Sequence, residues 1–376
     1  MNSLDYKSAF NRSIDWLLYS FHINNNNGSS GWQSRTFHPF RGWSLPYPET
    51  TGYILVTLYD LLNDGHYRED EINGCIKSSI SWLLNLQLEI GAFPGGHGKY
   101  PNNFRLNSID YIFNRKRKSM PSIFNTGQIL RGLVRAYEDK ETEILYISIK
   151  HATNYLCDSI NNDGSWKNDA YAGQSSPSYF SYIAKPILDS SNILQNEKSR
   201  ELVLKSLYRI IEKSNNTNDF IKSMSFPRQE IIHTHTLSYT IQGLLECLDF
   251  YNNDIKNKTM QISNKIISKL LKFNNDKGFI PGGVYGDFRP DLSYSCLTGN
   301  CQIGLILLEM NDISKNQYYF DCAKNILDYT INNQSKNGSI AGSYPFWGKY
   351  MSMRNPNWAV KYYLDLHSKI NRVTKL

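Results

Sequence analysis

The chain has 376 residues, and 41 Lys and Arg against 34 Asp and Glu give it a formal charge of +7. Much of the basic excess sits in Arg115-Lys116-Arg117-Lys118; such a run is usually a solvated loop, and with no recognised binding motif beside it a nucleic-acid partner is not expected. No apolar run reaches the roughly 18–20 residues of a membrane span, and no basic segment followed by an apolar one opens the chain, so a cytoplasmic protein without a transmembrane segment is expected.

Two kinds of helix alternate along the chain. Ala9 to Leu18, Ile76 to Gln87, Ile147 to Ile160, Ser199 to Lys213, Met260 to Phe273 and Tyr319 to Asn333 carry apolar residues at i, i+3/i+4 and i+7 with charges opposite, the mark of one buried stripe and one wet face. Between them a phrase recurs: Thr51-Gly52-Tyr53-Ile54-Leu55-Val56-Thr57-Leu58, then Thr126-Gly127-Gln128-Ile129-Leu130-Arg131-Gly132-Leu133, then Thr298-Gly299-Asn300-Cys301-Gln302-Ile303-Gly304-Leu305. A degenerate copy runs from Leu237 to Leu244, and a last helix of this kind is expected near Asn357-Trp358-Ala359-Val360. Small residues mixed with large ones suit helices crowded into an inner layer. Gly- and Asn-rich turns such as Gly91-Ala92-Phe93 and Gly278-Phe279-Ile280 follow most helices of the first kind.

Repetition on this scale predicts an array of one supersecondary unit. About six outer and six inner helices make an all-α (α/α)6 toroid, with residues 1–376 as one domain and a long loop, 95–121, able to lie over its mouth. The six cysteines, Cys75, Cys157, Cys247, Cys296, Cys301 and Cys322, are scattered, without a CxxC or zinc-type spacing. Free buried thiols, no metal and no cofactor are expected.

An outer helix ending in Gln before a Gly-aromatic turn (Trp82 to Gln87, then Gly91-Ala92-Phe93) resembles the α/α toroid superfamily. That superfamily includes terpenoid cyclases, prenyltransferase β subunits, glycoside hydrolases, polysaccharide lyases and sugar epimerases. The segments Tyr47-Pro48-Glu49-Thr50-Thr51-Gly52-Tyr53, Phe124-Asn125-Thr126-Gly127-Gln128 and Asn355-Pro356-Asn357-Trp358 resemble toroid proteins associated with bacterial surface polysaccharides. The resemblance implies parallel inner helices whose N-terminal ends share one mouth, which also collects positive helix-dipole ends. It implies an oligosaccharide or polysaccharide substrate as well, and 26 tyrosines are compatible with sugar-stacking platforms.

Chemistry is therefore sought just ahead of each inner helix. The first such segment holds Arg41, Trp43, Tyr47 and Glu49: two rings for stacking, and an acid that either compensates the helix dipole or transfers protons. The second contributes Gln128. The fourth holds His233, His235 and Tyr239. His235 and Tyr239, at i and i+4, share a helix face, whereas His233 and His235 at i and i+2 cannot, so one histidine is expected in packing. With an arginine nearby, His235 and Tyr239 form a base and acid for β-elimination or C5-epimerisation of a uronate. A His-X-His metal site lacks a third ligand of suitable spacing.

The last segments add Arg289, Asp291, Tyr294, Asn300, Arg354, Asn357 and Trp358. Glycoside hydrolysis would need two carboxyls, of which Glu49 and Asp291 are the first pair and Asp169 and Glu230 the substitutes. A terpenoid cyclase is disfavoured by the lack of an Asp-X-Asp-Asp cluster. The expectation is a carbohydrate-active enzyme on an acidic glycan, lyase or epimerase ahead of hydrolase, with a non-catalytic glycan-binding or assembly protein as the alternative.

Overall fold

The computed structural model describes residues 4–36, 42–66, 68–96, 120–170, 173, 176–226, 229–274 and 277–374. In chain order its helices are α1 (Tyr6–His22), α2 (Pro48–Asn63), α3 (Glu69–Leu84), α4 (Ile123–Asp139), α5 (Glu143–Asp158), α6 (Ala184–Ile193), α7 (Glu197–Lys213), α8 (Thr217–Lys222), α9 (Thr234–Leu245), α10 (Asn253–Leu271), α11 (Leu297–Ser314), α12 (Gln317–Asn332) and α13 (Asn357–Thr374). A 3-10 turn, Ser178–Ile183, leads into α6.

Inner helices α2, α4, α6, α9, α11 and α13 touch in that order, the 3-10 turn making the contact to α9, and α13 returns against α2 to close the ring. Outer helices α1, α3, α5, α7, α10 and α12 each pack on the inner helix that precedes them in the ring. The fold is the expected (α/α)6 toroid. Among the described residues α8 is the one helix outside that plan, a short polar helix that buries Phe220 and Ile221.

The recurring Thr-Gly phrase has a mechanical basis. A Cβ on Gly132 would lie 2.1 Å from the Gly52 carbonyl oxygen, and one on Gly52 would lie 2.5 Å from the Ile129 Cα. On Gly243 and Gly299 it would strike the backbone of Tyr182 and His235. These glycines let inner helices approach backbone to backbone. The threonines pin the turns: Thr51 Oγ1 accepts from the Ser29 amide at 3.0 Å, and Thr126 Oγ1 from the Phe93 amide at 2.8 Å.

Short antiparallel strand pairs stitch the turns after outer helices to the heads of inner helices. They are β1 (Trp32–Ser34) with β9 (Arg354–Pro356), β2 (Phe93–Pro94) with β3 (Pro121–Ser122), β4 (Ile232–His233) with β5 (Gly283–Val284) and β6 (Pro290–Asp291), and β7 (Ser295–Cys296) with β8 (Ser343–Tyr344). Backbone groups that a buried turn would strand are satisfied this way.

Four buried tyrosines cross the middle of the barrel: Tyr53, Tyr182, Tyr239 and Tyr362. The Tyr182 and Tyr239 rings lie 4.6 Å apart, tilted by 31°, and the Tyr362 hydroxyl donates to that of Tyr182 at 3.3 Å. This partition leaves one cavity at the helix N-termini and another at the C-termini. None of the six cysteines is in a disulfide. Among the described residues no helix is long and apolar enough to cross a membrane.

Candidate active site

The cavity at the N-terminal ends encloses about 350 Å³. Its wall comes from the heads of four inner helices and the loops entering them. Glu49, Thr50 and Tyr53 come from α2 with Tyr47 just ahead of it, Phe124 and Asn125 from α4 with Ser122 just ahead of it, and His235 and Tyr239 from α9 with His233 just ahead of it. Asp169, Phe226, Gln229, Lys349, Tyr350 and Met351 arrive on loops, Tyr179 on the 3-10 turn and Trp358 on α13.

Glu49 lies in the first turn of α2, behind Pro48. Its carboxyl is buried, and that burial, with the negative charge of Asp169 nearby, pushes its pKa up to about 7 against the opposing hydrogen bond from Tyr47. Asp169 is fully buried. It accepts from Ser122 Oγ at 3.1 Å, from the Ile123 amide at 2.9 Å and from the Phe124 amide at 3.4 Å. A carboxylate at the N-terminus of α4 answers the positive end of that helix. The result is two carboxyls in one cavity, one held by amides and one resisting ionisation.

Both histidines reach the cavity, which differs from the expectation that one would turn into packing. His233 sits in β4, ahead of the helix, so the helical i, i+2 argument does not govern it. Its Nδ1 lies 2.8 Å from the Tyr294 hydroxyl, and burial lowers its pKa to about 4. His235 Nδ1 lies 2.6 Å from Gln302 Oε1. A carboxamide oxygen only accepts, so Nδ1 carries the proton and Nε2 keeps its lone pair. Burial, more than the neighbouring His233, lowers its pKa to about 3, so the ring is neutral. The His235 and Tyr239 rings lie 4.3 Å apart. Burial raises the Tyr239 and Tyr53 phenols well above their ordinary value, so both are donors. Among the described residues no three His, Cys, Asp or Glu side chains converge as metal ligands.

Of the residues singled out from sequence, the structure brings Tyr47, Glu49, His233, His235, Tyr239 and Trp358 together on this wall. Asp291 is not on it: it is held at the rim by Lys349, 2.6 Å away, and by Ser293. Trp43 lies 4.9 Å from Trp16 of α1, turned into the core. Tyr294 stands behind His233. Asn300 and Asn357 are buried and spend their amides on Ser295 and Gly278, and on Ser29 and Thr50. Gln128 is buried away from the cavity. Arg289 lies over Tyr285 and Arg354 over Trp32, both exposed. Arg41 and residues 97–119 of the long loop fall outside the described residues.

Sequence reasoning passed over Tyr53, Tyr179, Tyr350, Lys349 and Asn125, and set Asp169 below Asp291. Asn125 had a signal: it stands inside the quoted Phe124-Asn125-Thr126 phrase. It is buried on the wall, and its Nδ2 has no hydrogen-bond partner among the described residues. Tyr350 accepts from the Trp358 indole at 2.8 Å.

No protein-family model matches the chain, and no curated protein matches it in sequence. In structure it is similar to an unsaturated glucuronyl hydrolase specific for heparin, at 14% identity over 96% of this chain and 98% of that one, with a TM-score of 0.64. It is similar to D-mannose isomerase, at 9% identity over 99% and 98% with a TM-score of 0.70. A sugar epimerase from a ruminal bacterium aligns at 11% identity over 95% and 96%, again with a TM-score of 0.70. What the chain shares with them at these identities is the (α/α)6 toroid fold, over almost its whole length.

Proposed function

We propose that the protein is a carbohydrate-active enzyme that hydrolyses a glycosidic bond at the end of an oligosaccharide, with Glu49 as the proton donor. The observation that carries this reading is the Glu49 carboxyl, held at about 7 in an aromatic cavity beside Asp169. An acid with that pKa is half-protonated at neutral pH, the condition general acid catalysis asks for. A glucuronyl hydrolase among the proteins of the same fold supports the choice by analogy.

A terminal sugar would stack on Phe124, Tyr179 and Trp358, with the free Asn125 amide donating to a ring hydroxyl. A volume of about 350 Å³ lies at the small end of ligand pockets, about 300–1,000 Å³, which suits a chain end better than a stretch of polymer. Glu49 protonates the bridging oxygen as the bond to the anomeric carbon breaks. The Asp169 carboxylate faces the positive charge that develops there and stabilises it. Water then adds to the anomeric carbon and returns its proton to Glu49. Lyase chemistry on a uronate falls behind, because Lys349 is the one Lys or Arg among the described lining residues and is already paired with Asp291.

An isomerase or epimerase reading has one supporting observation in this chain, the Gln302 bond that leaves His235 Nε2 with a lone pair. Proton NMR in heavy water separates the readings. A panel of uronate-ended and neutral oligosaccharides should yield new reducing-end signals that vanish with Glu49→Gln. Deuterium at a sugar carbon without cleavage, lost with His235→Asn, would replace hydrolysis by epimerisation or isomerisation. Olefinic signals would mean elimination.

A further inference from the structure

The loop between β8 and β9 is bonded to itself and to its surroundings. The Gly348 amide donates to Pro345 and the Met353 amide to Phe346, each at 2.8 Å, and Ser343 Oγ accepts from the Tyr350 amide at 3.1 Å. A Cβ on Gly348 would come within 2.6 Å of Tyr294 Cβ, so the loop lies flush on the rim wall. Arg35, itself bonded to Asn355, caps the Phe346 ring at 4.8 Å. Nothing here resembles a loose surface turn.

On this fixed loop Trp347 is 63% exposed among the described residues, the largest apolar side chain offered to water there. Its ring is set edge-on to Phe346, centroids 4.9 Å apart at 81°, which fixes its orientation and leaves an indole face open. Lys349, Tyr350 and Met351 of the same loop line the cavity. Leu292, beside the Asp291 partner of Lys349, is 54% exposed. An apolar platform therefore continues the cavity wall outward, and a rigid aromatic loses little freedom when it is covered.

We infer that Trp347 is the stacking platform of a second sugar-binding subsite, which takes a pyranose residue of the chain whose end occupies the cavity. The inference rests on the glycan reading above and adds to it: the substrate is longer than the cavity holds. Apolar C–H faces of a pyranose match the indole face, while the ring hydroxyls stay in water.

The test compares chain lengths in a Glu49→Gln background, so that nothing is consumed. Di- and tetrasaccharides of the heparin, chondroitin, cellulose and starch series are titrated by calorimetry with and without Trp347→Ala. For a series that binds, Trp347→Ala should raise Kd for the tetrasaccharide about tenfold and leave the disaccharide within about twofold, and Trp347→Phe should restore most of the loss. Equal effects on both lengths, or none on either, would overturn the subsite while leaving the glycan reading in place. Binding of neither length in any series, with no turnover by the unsubstituted protein, would overturn both.

Discussion

The two ends of the barrel use charge in opposite ways. At the C-terminal end a cavity of about 220 Å³ is lined by Asp60, Arg131, Glu246, Lys361, Asp365 and Arg372 among others. Most of its charges are answered: Arg131 meets Glu246 at 2.9 Å, Lys361 meets Asp365 at 2.6 Å, and Arg372 meets Asp64 at 3.0 Å, while burial and the Asp365 charge raise the Asp60 pKa. At the N-terminal end Glu49 is buried with no ion-pair partner among the described residues, next to a second carboxyl. Pairing stabilises charge and makes it inert; burial without pairing costs stability and leaves a carboxyl able to exchange a proton near neutral pH. The rear cavity has the character of a polar plug, and the front is the reaction site on the reading proposed above.

Two substitutions sharpen this contrast, and they should behave as mirror images. Glu49→Gln keeps shape and removes the proton; turnover should fall by about 10³-fold, within the range for general acid catalysis, while the denaturant midpoint holds or rises. Glu246→Ala leaves the Arg131 guanidinium uncompensated against Tyr182. A loss of about 2–3 kcal/mol is expected, below the full cost of a buried unpaired charge because both side chains keep some solvent contact. Turnover at permissive temperature should stay within about threefold. Activity loss at the rear with unchanged stability would break the comparison.

The pH dependence offers a third probe. Glu49 has a folded pKa raised from 4.5 to about 7, so its contribution is fully present below the unfolded value and is lost as pH rises through the folded one. Relative to Glu49→Gln, the unsubstituted protein should lose about 3 kcal/mol between roughly pH 4.5 and 7, read from urea melts. His235 and His233 run the other way. Their folded pKa values are lowered to about 3 and about 4, so stability present above 6.5 drains as pH falls through those values. Turnover driven by a protonated Glu49 should decline above pH 7.

The fold was legible because its signals are local. Period marks the outer helices, from Tyr6–His22 to Gln317–Asn332, and the Thr-Gly phrase recurs because Thr51 and Thr126 pin turns and Gly52 and Gly132 admit a neighbouring backbone. The heads of inner helices could be named as the place to search for the same reason. Which loop residues meet there could not. Asp169 reaches the cavity by capping α4, a helix 46 residues away at Ile123, and Gln302 reaches His235 from α11. Such pairings are set by the ring's closure and leave no mark in spacing. Trp43 shows the converse: it stands four residues from Tyr47 in sequence, yet the chain turns its indole towards α1 and Tyr47 towards the cavity.

The smallest predicted effect decides between the two carboxyl pairs. Burial alone would raise the Asp291 pKa, but hydrogen bonds from Lys349 and Ser293 outweigh it and hold the carboxyl below the usual range. In Asp291→Asn the side-chain oxygen still accepts from the Ser293 amide and hydroxyl, so only the ion pair to a half-exposed Lys349 is lost. With the lysine half in water, a pair of this kind contributes about 1 kcal/mol, and turnover should change by less than about threefold. Asp169→Asn also keeps an oxygen for the amides of Ile123 and Phe124, but it removes the charge beside Glu49; the Glu49 pKa should drop and turnover with it, by about 10²-fold. If Asp291→Asn instead caused the large loss, the rim carboxylate would be the catalytic partner, and the front cavity would have to close onto its rim for reaction to occur.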